Sequence, residues 1–367
     1  MRFQHAFKIV SRILISALML SSLVACEDIK QLVGISSDSD MDDDAIVEVA
    51  DLKIAVAPYV AWMPWFLAKE EGLYEQFREE YSVNVEFVSD NYVNTIERFV
   101  SGEVDALAIT NIDAIAQLVR RDIEADVVIV TSYSNGNEAL LIPEGANENI
   151  QGKTIALEEF SSRHYLLDRY LMRSNIAFDE VNINNTSDAQ LPTTLNTKEV
   201  AGVVAGNPTS QQLVSQTNSK VLFDSKNIPN EIIDLIVVRR EILLEHPNFA
   251  QALLATWFSV MERLQGNRKG TTLDEMARLA GLNREDFDKQ LDGVKLNDTP
   301  VKTLSAIRNR SMRKTMRHIR YFIERHDLTG EEVFTGWVSY PGRSPALLHF
   351  NSEPLQKFLA PPEDIEF

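Results

Sequence analysis

Tyr59 and Trp62, Asp90 and Tyr92, Thr110, Asn111 and Asp113, and Ser134, Asn135 and Asn137 form four short groups, each placed just after an apolar run. Glu158, Ser162 and His164 make a fifth group, with Asn207 and Asp234 further along. Aromatic faces mixed with a few carboxylates, hydroxyls and carboxamides suit the non-covalent capture of a small polar molecule. Bond-making chemistry calls for other sets. The chain shows no Ser-His-Asp arrangement, no Gly-rich phosphate loop and no two-His metal motif. His164 lacks a second His or Cys at ligand spacing, which argues against a metal. No catalytic residue and no cofactor are therefore expected. Local uses compete for several of these side chains. Thr110 and Asp113 fit a helix cap as well as a ligand contact, Asn135-Gly136 fits a turn, and Glu158 and Asp234 could pair with Arg163 or Lys153.

The elements that must hold these groups can be read from periodicity. Leu52–Ala57 is a short apolar run with β character, broken by Pro58 and Tyr59. Pro64 stands where a helix can begin, and Gly72 ends that helix. Val83–Val88 alternates as a second strand. Asn94 with Glu97 marks a helix start, and that helix stops at Gly102. Val104–Ile109 and the fully apolar Val127–Val130 are third and fourth strands, the latter of the kind a parallel sheet buries on both faces. The pattern then restarts: Lys153–Leu157 repeats the role of Lys53–Val56, and a helix follows over 164–173. Glu199–Asn207 echoes Glu103–Asn111, each a turn feeding a strand that ends at Asn. Two lobes of similar βαβ construction follow from this repetition. From Ile242 the spacing is helical, over 249–265, 273–279, 284–291 and 301–325, and the Pro-rich stretch 341–367 is expected to wrap the surface.

The N-terminus belongs to targeting. Arg2, Lys8 and Arg12 precede the apolar run Ile13–Leu20, too short to span a bilayer comfortably, and Leu23-Val24-Ala25-Cys26 follows. This segment resembles a bacterial lipobox, in which the signal is cut before Cys and the thiol receives a lipid. Cys26 is the single cysteine, so disulfides and Cys-rich metal sites are excluded. The formal net charge is −18, and loss of residues 1–25, which carry three cations and no acid, makes it −21. An acidic surface of this kind repels nucleic acid. Residues 26–50, with the run Ser36–Asp44, are too polar to bury a core and read as a flexible acidic tether.

Several stretches together resemble the substrate-binding components of nitrate/sulfonate/taurine-type ABC transporters, a family that includes thiamine-precursor-binding proteins. They are Trp62-Met63-Pro64-Trp65-Phe66-Leu67-Ala68-Lys69-Glu70-Glu71-Gly72-Leu73-Tyr74, Gly102–Ala106, Ser132–Asn137, Ile150–Ala156 and Gly206-Asn207-Pro208, where Asn207 replaces a frequent aromatic residue. The resemblance covers about residues 50–325. It implies an α/β, two-lobed type II periplasmic-binding-protein fold with a cleft between lobes and a mainly helical C-terminal part. Lobe 1 would comprise 51–138 plus 236–345, lobe 2 139–235, and 346–367 a C-terminal tail.

Ligands of open parallel sheets bind beyond the C-terminal strand ends, which puts the groups named at the outset on the cleft. The family resemblance implies an exported monomer that delivers its ligand to an ABC permease; the lipobox and acidic tether, which depart from the family's freely diffusing periplasmic members, add a membrane anchor facing the periplasm or cell exterior. Asp90, Asp113, Glu158 and Asp234 outnumber Arg163, which favours an amine, amide or pyrimidine over a sulfonate or nitrate. A ligand-sensing lipoprotein docking on a membrane receptor is the alternative; an enzyme on the same fold is a more distant one.

Overall fold

The computed structural model describes residues 49–326, 338–339 and 346–360. The signal segment, Cys26 and the acidic tether lie outside the described residues.

Two sheets organise the chain. The first has the order β12-β13-β4-β10-β3-β1-β2, with β11 also pairing β4: β1 Ala50–Val56, β2 Val83–Ser89, β3 Ala106–Thr110, β4 Ala125–Ser134, β10 Ile233–Arg239, β11 Val294–Leu296, β12 Val338–Ser339 and β13 Leu348–Phe350. The second has the order β7-β6-β8-β5-β9, from β5 Ala139–Pro143, β6 Thr154–Leu157, β7 Asn182–Asn185, β8 Gly202–Ala205 and β9 Ser219–Asp224. β1 runs parallel to β2 and β3, while β10 returns antiparallel between β3 and β4. The chain passes from the first sheet to the second between β4 and β5 and comes back between β9 and β10. Two crossings therefore join the two sheets.

Sequence and structure agree on why the strands are central. Every residue of Ala106–Ile109 and of Ala125–Ser132 is buried, as expected where both faces of a sheet are covered. Helices supply the cover. α1 (Met63–Glu70) carries Pro64 in its first turn and ends before Gly72, whose φ of 69° only glycine adopts without strain. Its Trp65 packs on Trp257 of α4 (Asn248–Gln265), with ring centroids 5.3 Å apart. α2 (Tyr92–Val100) begins three residues earlier than the Asn94 signal suggests: the cap is Asn91, whose side chain accepts the Asn94 N–H. In the second lobe α3 (Ser162–Ser174) covers the sheet.

The C-terminal part departs from expectation in two places. The helical stretch 301–325 is two helices, α6 (Pro300–Arg308) and α7 (Arg310–Arg325), broken at Asn309; α5 (Arg284–Leu291) precedes them. α7 falls in the span assigned to lobe 1, yet it lies against α3 of lobe 2: Phe322 meets His164 edge-on at 5.0 Å, and Arg325 pairs with Asp168. The end of the chain is not a surface wrap throughout. Leu348–Phe350 adds a parallel strand beside Ala125–Val127, Phe350 is fully buried, and the Gln251 side chain on α4 donates to the Pro354 carbonyl at 3.0 Å, at the start of α8 (Glu353–Leu359). Phe350→Ala is therefore expected to cost about 3–5 kcal/mol in urea unfolding. A loss below about 1 kcal/mol, normal for surface positions, would show that this strand contributes little to the core.

Candidate functional site

The region between the sheets is built from the ends of strands. Tyr59 and Trp62, just after β1, form an edge-to-face pair at 5.3 Å, and Tyr92 at the start of α2 lies 5.6 Å from Trp62. The three rings make an aromatic wall in lobe 1. Trp62 is 3% exposed, and its Nε1–H has no hydrogen-bond partner in the protein.

Asp113 stands beside this wall. Thr110 caps the short helix after β3 by accepting the Asp113 N–H, and its hydroxyl donates back to Asp113 Oδ2 at 2.7 Å. The Tyr92 hydroxyl donates to the same oxygen at 2.7 Å. The helix cap that the sequence allows for Thr110 and Asp113 is therefore present. Burial raises the Asp113 pKa, against the opposing pull of these hydrogen bonds and of the Arg163 charge.

Asp234, at the start of β10, accepts a hydrogen bond from Ser132 on β4. Burial, joined by the Glu138 and Asp113 charges, pushes its pKa up to about 7. Burial also lifts the Tyr59 hydroxyl well above its ordinary value, with Asp234 and Glu138 adding to the effect. Glu138, in the first crossing, is 4% exposed and accepts hydrogen bonds from Ser134, from Asn137 at 2.9 Å and from Ser162 at 3.4 Å.

Lobe 2 contributes Glu158 after β6, Arg163 in the first turn of α3 and Asp188 after β7. Arg163 Nη2 donates to Asp188 Oδ2 at 2.7 Å, while its Nε is buried and unpartnered. Burial acts against the Arg163 charge, but Asp188, Glu138 and Glu158 outweigh it and raise its pKa. Burial raises that of Glu158, with Arg163 opposing. A methyl group on Gly206 would come within 2.8 Å of Arg163 Nη2, so glycine is what lets the guanidinium lie along the end of β8. Five carboxyl groups (Asp113, Glu138, Glu158, Asp188, Asp234) from both lobes and a crossing thereby share one electrostatic neighbourhood with one guanidinium.

Other sequence candidates sit apart or are already engaged. Asp90 is bound to Arg98 at 3.1 Å and to Asn91 and Asn94 at the start of α2. Asn111 spends both ends of its amide on the second crossing, donating to the Glu231 carbonyl at 2.9 Å and accepting the Ile233 N–H at 3.1 Å. Glu231 in turn holds lobe 2, accepting from Arg169 Nε at 2.6 Å and the Tyr165 hydroxyl at 2.7 Å. Asn111 thus ties the end of β3 to the second crossing. Asn135 is exposed, with its N–H on the Gly293 carbonyl at 2.8 Å. His164 packs among Phe178, Phe322 and His326, and burial, aided by His326, pushes its pKa down to about 3. Asn207 accepts from Ser210 at 2.5 Å and lines a side cavity of about 750 Å³ with Gln211, Lys289 and Gly293. Asn137 has a buried, unpartnered Oδ1.

Glu138 and Asp188 are the acids that sequence reasoning missed. Glu138 precedes an antiparallel strand, where a rule about C-terminal strand ends does not look. Asp188 follows β7, whose sequence Asn-Ile-Asn-Asn has too little apolar character to announce a strand. Among the described residues no group of three or more His, Cys, Asp or Glu is disposed to hold a metal, and no helix is long and apolar enough to cross a membrane.

Two sheet-centred lobes joined by two crossings, with polar and aromatic side chains facing one another between them, define the periplasmic solute-binding fold. Its solved relatives include the periplasmic aliphatic sulphonate-binding protein SsuA of Escherichia coli, 18% identical over 77% of this chain and 95% of that one with a TM-score of 0.65. SsuA of Xanthomonas axonopodis pv. citri, bound to MOPS, is 18% identical over 77% and 96% with a TM-score of 0.61. The desulfurization enzyme DSZB shares the fold at 11% identity over 77% and 94%, with a TM-score of 0.55. The sequence profile of the NMT1-like family matches residues 45–281, and the chain belongs to that family. No curated protein matches the chain.

Proposed function

We propose that this protein is an exported, lipid-anchored solute-binding protein that closes its lobes around a small nitrogen-containing molecule and passes it to an ABC importer. The observation that carries the ligand class is the set of four acids acting on Arg163 (Asp113, Glu138, Glu158 and Asp188), with Asp234 coupled to Asp113 and Glu138, fronted by the wall of Tyr59, Trp62 and Tyr92. An organic cation, or a neutral amide or pyrimidine rich in N–H donors, meets free carboxylate oxygens on one side and ring faces on the other, and aromatic faces attract cations directly. A sulfonate or nitrate would have to enter a field set by the carboxylates, with Arg163 already engaged by Asp188. The preference therefore differs from what the names of the sulfonate-binding relatives suggest. Lipid attachment is assigned to Cys26 on the Leu-Val-Ala-Cys motif. Sensing through a membrane receptor would use the same cleft and differ only in the docking partner.

Calorimetry and thermal shift against amines, amidines, amides, pyrimidines, sulfonates and nitrate test the reading. Nitrogenous compounds are expected to bind and to stabilise the fold by about 2.7 kcal/mol at a hundredfold excess over the dissociation constant. Binding confined to sulfonates or nitrate would overturn it.

A further inference from the structure

The charge of this chain is unevenly spread. Residues 308–325 hold seven of its 36 Lys and Arg but only one of its 54 Asp and Glu, in a protein whose formal net charge is −18. The helix that carries most of this segment, α7, has two unlike faces. Met312, Met316, Ile319, Phe322 and Ile323 are buried toward the protein. Arg310, Arg313, Lys314 and Arg317 are exposed at three- and four-residue spacing along the other face, which continues to Tyr321, 44% exposed and stacked with Arg320 at 5.5 Å. A basic stripe ending in an amphipathic ring is what an anionic, partly apolar interface recognises.

We propose that the exposed face of α7 docks on an anionic phospholipid surface and sets the orientation of the folded part against the bilayer to which the chain is tethered. Charge complementarity selects the surface: an anionic leaflet attracts this stripe and repels the acidic remainder, so the attraction acts as a torque as well as a tether. Chain length brings the two together. If Cys26 is lipidated, the 22 residues from it to Glu48 can extend no further than about 75 Å, which keeps the start of the folded part within that distance of the membrane. The lipid anchor raises the local concentration, but the stripe should bind anionic lipid without it. The two ideas therefore fail separately.

The test uses the chain from residue 26 onward, without the signal segment and carrying Cys26→Ser, which removes acylation, with and without Arg310→Glu, Lys314→Glu and Arg317→Glu together. It is sedimented with vesicles of phosphatidylglycerol or of phosphatidylcholine. Each cation at an anionic surface is worth roughly a fivefold change in partitioning. The unreversed chain is expected to prefer phosphatidylglycerol vesicles, to be released as ionic strength rises, and to lose at least about tenfold in binding on triple reversal. A companion set with Gln at the three positions keeps helix-forming side chains and is expected to fall between the two, with melting temperature and ligand affinity unchanged in both sets. Equal binding to both lipids, or equal binding with and without the reversal, would overturn the proposal. So would capture through these residues only by neutral vesicles carrying the importer, which would make the partner a protein.

Discussion

Asp113→Asn is expected to weaken the binding of an organic cation by roughly 30-fold to several-thousand-fold, the range that follows from about 2–5 kcal/mol for removing one partner of a buried, hydrogen-bonded charge pair. The substitution isolates charge. Asn keeps an oxygen for the Tyr92 and Thr110 hydroxyls, both of which donate to Asp113 Oδ2, so the local cap should survive. Affinity for an anionic compound should move the other way, because one of the four acids that act on Arg163 has been neutralised. Isothermal titration with matched cationic, neutral and anionic ligands reads both directions at once. If cation affinity is unaltered while a neutral ligand's affinity collapses, Asp113 acts through hydrogen bonding alone, and the electrostatic account of the cleft is wrong.

Asp234 carries the second large effect, and its sign is opposite to that of a paired surface carboxylate. Its folded pKa is about 7, against an ordinary value of 3.8, with burial as the main cause. Below about pH 4 both folded and unfolded chains hold this proton. Between there and about pH 7 only the folded chain holds it, so each unit of rising pH takes up to about 1.4 kcal/mol from stability. Above about pH 7 both forms are ionised and the cost stays constant. Asp234→Asn removes the titration while retaining an acceptor for Ser132. Its stability relative to the parent protein should therefore increase by roughly 2–3 kcal/mol between about pH 5 and about pH 8. Asp126, Asp168 and Glu231 are held below the usual carboxylate range despite burial, by His349, Arg240 and Asn351, by His326 and Arg325, and by Arg169 and Tyr165 respectively. Their stabilisation is lost as pH falls, but they are common to both proteins and cancel in the comparison. Urea unfolding at the two pH values measures it. A difference that does not change with pH would mean that Asp234 is ionised throughout and solvated better than its burial implies.

Where local pattern decides the outcome, the chain was readable. Apolar runs located the central strands, because a strand covered on both faces must be continuously apolar. Pro64 and Gly72 bounded α1 because one lacks an N–H and the other tolerates positive φ. The aromatic and acidic groups after β1 and β3 follow from the same logic, since strand ends deliver side chains to the gap between lobes. What periodicity could not say was which neighbour a buried face would meet. The apolar stripe of α7 is equally compatible with either sheet by periodicity, and only the structure shows Phe322 meeting His164 and Arg325 pairing with Asp168.

Polar side chains divide along the same line. By itself the sequence determined the fold class and the family, because these depend on residue type and on spacing within one element. Only tertiary structure decided which polar groups remain free for a ligand. Asn111 is taken by backbone groups some 120 residues away, Asp90 by Arg98 and His164 by a cluster of rings, while Glu138 and Asp188 are brought to the site unannounced. The physical reason is that a hydrogen bond is a contest among all partners within about 3 Å. Most of the contestants here are far away along the chain.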